Sequence, residues 1–106
     1  MNKITEKYLQ NWIDGHELAI IFFKTIDCGV CQSQLSKIES IANEQEVAYK
    51  VVDLSENPHL TASQMVLQVP ITKIFYQGKE VYKEGAFLDF SGLRELIINL
   101  QSVSNA

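Results

Sequence analysis

Leu18-Ala19-Ile20-Ile21-Phe22-Phe23 is an unbroken apolar run, and after Lys24-Thr25-Ile26-Asp27 it is followed by Cys28-Gly29-Val30-Cys31, which holds both cysteines of the chain. A run of this length with no polar alternation reads as a strand buried on both faces. The cysteine pair then stands at the start of the next helix. A thiol at that place feels unpaired backbone N–H groups and the positive end of the helix dipole, so its thiolate is stabilised and can attack disulfides. The two-residue spacing brings Cys31 within one helical turn of Cys28, where it can displace a substrate held as a mixed disulfide. One cysteine captures and the other releases.

Working outward, Thr5 is suited to cap a first helix that carries Ile4, Tyr8, Leu9, Trp12 and Ile13 on one face and stops at Gly15. Residues 28–44 read as a helix, with Leu35, Ile38, Ile41 and Ala42 at helical spacing, and residues 47–53 return as a strand. Two strands joined by such a helix form a βαβ unit with a parallel start to the sheet. Asn57-Pro58 predicts an N-cap and a short helix over 58–66 with Leu60 and Met65 inward. A strand over 71–76, a turn at Gln77-Gly78-Lys79 and a short edge strand over 80–83 add a hairpin. Asp89 then caps a last helix with Leu93, Leu96, Ile97 and Leu100 on one face, and the tail from Ser102 is expected to fray. The order α-β-α-β-α-β-β-α implies an α/β fold, a four-stranded mixed sheet flanked by helices on both faces.

The 106 residues suit one domain spanning 1–106, and 46% hydrophobic with 21% charged residues is an ordinary globular composition. A net charge of -4 gives no attraction to nucleic acid or to an anionic membrane, so neither is expected as a partner. No stretch approaches the roughly 20 apolar residues of a membrane span, and no apolar signal core opens the chain, which makes the cytoplasm the expected location. In a reducing compartment a C-x-x-C is catalytic or metal-binding. His16 and His59 invite a zinc reading, but their spacing is not that of a zinc site, and no metal or other cofactor is expected. Trp12 with Tyr8 could form a binding patch, but aromatics at helical spacing are expected in the core, and Phe87 and Phe90 are expected in the core or at its rim. Asp53 is expected to cap or solvate the loop into Ser55, and Lys73 to carry its tip to solvent over a packed stem.

Three elements together resemble the thioredoxin family over most of the chain: Cys28-Gly29-Val30-Cys31 at a strand-to-helix junction, Val69-Pro70 at the start of a later strand, and Lys83-Glu84-Gly85-Ala86 after the Gly78 hairpin. The resemblance implies the thioredoxin-like fold, a cis peptide bond before Pro70 lying against the dithiol, and backbone pairing of a peptide substrate at Val69. X-Pro is the common setting for a cis bond, and a bare strand start in trans is the alternative. The activity implied is thiol–disulfide exchange, with Cys28 as nucleophile, Cys31 as resolving thiol and Gly29, Val30, Val69, Pro70 and Gly85 as the substrate face. Gly29 and Gly85 would allow close backbone approach. Protein disulfides are the implied substrates, and a thioredoxin reductase or a low-molecular-weight thiol the electron donor.

The chain also departs from the family. Asp27 replaces the tryptophan usual before the first cysteine and works against the thiolate, unless Lys24, itself at a usual tryptophan position, offsets it or pairs with it at the surface. Val30 replaces a common proline. Phe22 takes the place of the buried acid that relays a proton for the second cysteine, and Tyr49 that of the acid's lysine partner. A divergent thioredoxin-like protein is expected, acting as a disulfide reductase; a non-enzymatic binding module or redox sensor on the same fold is the alternative.

Overall fold

The computed structural model describes residues 3–104. Its elements are α1 (Glu6–Asp14), β1 (Leu18–Lys24), α2 (Gly29–Gln45), β2 (Ala48–Asp53), α3 (His59–Ser63), β3 (Ile71–Tyr76), β4 (Lys79–Glu84) and α4 (Phe90–Ser104). They form a four-stranded sheet in the order β2-β1-β3-β4. β1 pairs parallel with β2 and antiparallel with β3, and β3 pairs antiparallel with β4. The expected mixed sheet and element order are both present. β1 is central, which is why its apolar run lacks alternation: every residue from Ala19 to Phe23 is fully buried.

Period-two alternation along β1 divides its side chains between two cores. Ile20 and Phe22 join Ile74 of β3, Cys31, Ile38 and Ile41 of α2, and Leu93 and Ile97 of α4. Ile21 and Phe23 join Ile71 and Phe75 of β3, Leu9 and Ile13 of α1, and Leu60 of α3. Helices therefore cover both faces. Val69 packs against both cores.

Local chemistry fixes the ends of the elements. Thr5 caps α1, its Oγ1 accepting from the Tyr8 N–H at 3.0 Å, and Gly15 closes the helix on the Asn11 and Trp12 carbonyls. The β3–β4 turn places Gln77 at φ 52° and Gly78 at φ 82°, the left-handed pair that a two-residue hairpin needs. β4 is an edge strand, and its Lys79, Glu80, Lys83 and Glu84 are exposed, a charge pattern that discourages pairing with another chain.

Several side chains lie elsewhere than expected. Tyr8 is 51% exposed rather than core, while Trp12 is half-buried and tilts against the His16 ring. The short helix starts one residue later and ends at Ser63, with Pro58 as its N-cap. The Asn57 side chain instead takes the Ile4 N–H at 2.7 Å and donates to the Asp53 carbonyl at 2.9 Å, holding the N-terminal segment to the β2–α3 loop. Met65 adopts φ 54° and points outward; Leu60 alone of the two is buried. Phe87 is fully exposed, whereas Phe90 packs against the first core beneath the Lys37 ammonium. Lys73 does not reach solvent: its Nζ donates to the Gln64 carbonyl and pairs with Glu80, each at 2.7 Å, because β4 and the end of α3 close over it. Asp53 behaves as expected and accepts from the Ser55 N–H at 2.8 Å. α4 continues through Ser102 to Ser104, and the rest of the tail expected to fray lies outside the described residues.

Candidate active site

β1 delivers the chain to one end of the sheet, and the turn over Ile26 and Asp27 is held by the Ile26 N–H donating to Ser55 Oγ at 3.0 Å. Cys28 follows as the N-cap of α2, with extended φ −131° and ψ 97°. Its Sγ accepts from the Cys31 N–H at 3.1 Å, the place a serine or aspartate oxygen takes at other helix starts. No acidic residue stands in the first turn, so the helix end keeps its positive field toward this sulfur. Cys28 and Cys31 are joined in a disulfide with their Cα atoms 5.2 Å apart. Cys31 is buried in the first core while Cys28 is half-exposed, so the two sulfurs differ in what can reach them.

The Val69–Pro70 peptide bond is cis. Because β3 runs antiparallel to β1, with Ile71 opposite Phe23, the cis bond lies at the same end of the sheet as the dithiol. Cys28 and Val69 both pack against the core that contains Cys31. Gly85 sits beside Pro70, where an added Cβ would lie 3.8 Å from the Pro70 carbonyl oxygen, an ordinary contact. At Gly29 an added Cβ would meet nothing within 4 Å. Neither glycine is required by close packing inside the chain, and only at Gly29 is the space beyond the backbone open. The structure thus brings Cys28, Gly29, Val30, Cys31, Val69, Pro70 and Gly85 to one end of the fold.

A hollow of about 310 Å³ opens beside the disulfide, lined by Lys24, Thr25, Asp27, Gln32 and Leu35. A second, of about 330 Å³, shares Thr25 and is walled by Ser55, Thr61, Leu67 and Val69. Exposed apolar side chains crowd this end: Ile26 (75%), Val30 (52%), Leu67 (87%) and Phe87 (100%). Asp27 is exposed to solvent, and no ion pair joins it to Lys24; among the described residues the pairs are Lys73–Glu80 and Arg94–Glu44. The surface pair of Asp27 with Lys24 therefore does not form.

Beneath the dithiol, Phe22 is fully buried in the core that holds Cys31. The β1–β2 register sets Val51, not Tyr49, beside it. Tyr49 instead donates its hydroxyl to Glu39 at 2.9 Å, and this bond, with some burial and the Glu39 charge, holds the phenol above its usual range. Both residues adjoining this position on its strand neighbours, Val51 on β2 and Thr72 on β3, are uncharged. The seat of a buried acid–lysine pair is apolar here on β1 and β2.

The family profile for thioredoxin matches residues 1–98. The chain belongs to the thioredoxin family. Thioredoxin 1 of Thermosipho africanus is 30% identical, superposes with a TM-score of 0.75, and covers 83% of this chain and 99% of its own. Fasciola hepatica thioredoxin is 30% identical over 88% of each chain, with a TM-score of 0.71. A thioredoxin variant from Halobacterium salinarum is 23% identical, a likeness of fold alone, with a TM-score of 0.82 over 92% of this chain and 87% of its own. No curated protein matches the chain by sequence. Family membership and the bonded Cys28–Cys31 pair make this member a thiol–disulfide oxidoreductase.

Sequence reading missed Gln34, which is only 4% exposed. The signal was present: position 34 falls on the inward stripe of α2 with Cys31, Ile38 and Ile41.

Proposed function

We propose that the protein reduces protein disulfides in the cytoplasm. The reduced Cys28 thiolate attacks one sulfur of a substrate disulfide, forming a Cys28–substrate bond and expelling the other substrate sulfur as a thiolate, which takes a proton. Cys31 then attacks Cys28 Sγ, expels the second substrate sulfur and closes the Cys28–Cys31 disulfide. Two electrons have passed to the substrate, and an external thiol donor, a thioredoxin reductase or a low-molecular-weight thiol, returns them. The observation that carries this reading is the unequal burial of the two sulfurs: Cys28 is open to an incoming disulfide, and Cys31, at 1% exposure, is reserved for the bond that forms next to it.

Substrate docking is assigned to Val69–Pro70, with Gly29, Val30 and Gly85 as the face against which an extended peptide lies. The exposed apolar side chains around it suit a protein segment better than a small polar thiol. With a net charge of -4, nucleic acid and membrane are not among the proposed partners.

The test is turnover of insulin disulfides driven by dithiothreitol. The wild-type protein should accelerate reduction, and Cys28→Ser should abolish the acceleration. Undiminished turnover by that variant would sink the assignment. A second reading, a binding module or redox sensor, is favoured by the phenylalanine in the seat of the buried acid, since Cys31 then has no positioned carboxylate to take its proton. Formation of a Cys28 mixed disulfide without turnover would select it.

A further inference from the structure

Gln34 is a long amide in a stripe of apolar side chains, one helical turn beyond Cys31 and 4% exposed. An amide there is costly unless its polar atoms are paired. All of them are. Its Nε2 donates to the carbonyls of Gly85 and Ala86, each at 3.2 Å, and its Oε1 accepts from the Thr72 hydroxyl at 3.5 Å. Thr72 lies two residues beyond the cis proline and pairs with Glu84 of β4, and Gly85 sits beside Pro70. One side chain on the dithiol helix thus grips β3 and the segment that follows β4 at the candidate docking edge.

The direction of these bonds matters as much as their number. Two successive carbonyls, Gly85 and Ala86, are turned inward to Gln34, and the next residue, Phe87, stands fully in solvent. A leucine or methionine would fill the same space but leave two carbonyls and a hydroxyl without a partner. The glutamine adds orientation that an apolar residue of the same volume cannot give.

We infer that Gln34 is a positioning residue that fixes the Val69–Pro70 and Gly85–Ala86 backbone relative to the dithiol, and thereby sets a preference for peptide disulfides over small ones. The inference rests on the proposed docking reading. A small disulfide needs only the Cys28 sulfur, whereas a peptide must meet sulfur and backbone at once, and a misplacement of about 1 Å can cost up to about a hundredfold in rate.

The experiment mixes reduced protein, wild type and Gln34→Met, in single turnover with hydroxyethyl disulfide and with a cystine-bridged extended peptide. Gln34→Met should lower the second-order rate for the peptide by about tenfold or more while the hydroxyethyl disulfide rate stays within about twofold. Should that variant not fold, Gln34→Asn, which keeps the amide but falls short of the carbonyls, takes its place with the same expectation. An unchanged peptide rate, or an equal fall with both disulfides, would show that Gln34 only supports the fold and would overturn the inference. A wild-type protein with no preference for the peptide would overturn the docking reading itself, and the inference with it.

Discussion

Removing either partner of the Lys73–Glu80 pair deletes the same contact, but the two deletions should differ in cost because the partners differ in burial. The Lys73 side chain is 4% exposed and that of Glu80 38%. Glu80→Ala strands an ammonium whose other neighbours are the Gln64 carbonyl at 2.7 Å and the face of Phe23, 5.7 Å from its ring centroid. Losing one partner of a buried pair costs about 3–5 kcal/mol, and the surviving carbonyl bond lowers that to about 2 kcal/mol, since a hydrogen bond to a charged group contributes about 1.5–3 kcal/mol. Lys73→Met frees a carboxylate that water already reaches. It loses one hydrogen bond to Gln64 and a pair that, from the Glu80 side, is worth about 0–1 kcal/mol, and it also removes the desolvation of an ammonium, for a net cost of about 1 kcal/mol. At about 4–8 °C per kcal/mol for a domain of this size, Glu80→Ala should melt well below Lys73→Met. Urea unfolding of both oxidised variants would give the free energies directly. Equal losses, or a larger loss for Lys73→Met, would refute the claim that the cation is the costly member.

Two further outcomes follow from exposed and half-buried aromatics. Phe87→Ser should leave the unfolding free energy within about 0.5 kcal/mol of wild type, as for surface substitutions, because the ring contacts nothing that folding buries; its insulin-reduction rate should nevertheless fall, and an unchanged rate would remove Phe87 from the docking surface. The Tyr82 phenol is pushed up to about 12 by burial, with the Glu84 and Asp89 charges adding to it. Between the unfolded value near 10 and about 12 the folded state holds the proton that the unfolded state releases, so this contribution to stability is complete below about pH 10 and is lost on rising toward pH 12. Tyr82→Phe should flatten that alkaline decline, as read by urea unfolding across the range.

The parts of the fold visible in the sequence are those where one chemical need governs a whole segment. β1 declared itself because a central strand covered on both faces tolerates no polar residue, and the dithiol because both cysteines stand where strand turns to helix. The cis bond before Pro70 was legible only through family likeness, since local sequence alone favours the trans bond. What stayed hidden depends on register or on remote partners. Assigning Tyr49 to the seat beside Phe22 failed because only the strand pairing shows that Val51 stands there. Lys73 was expected to reach water because nothing near it in sequence reveals that a carbonyl nine residues back, and Glu80 across the hairpin, would enclose its charge. Gln34 was hidden by its type, since a helical glutamine usually faces solvent, although its position on the helix did not.

Val69 alone among the described residues packs against both cores, so the candidate docking edge is held from two sides like a lintel between walls. A support of this kind has little freedom left to lose when a partner arrives, and the entropy of forming the complex falls on the substrate strand. Cystine loops that are already slack should therefore be attacked readily, whereas a disulfide lying flush in a well-packed neighbour must wait for its own segment to open. For such targets the proposed reduction should be paced by the breathing of the substrate and not by this protein.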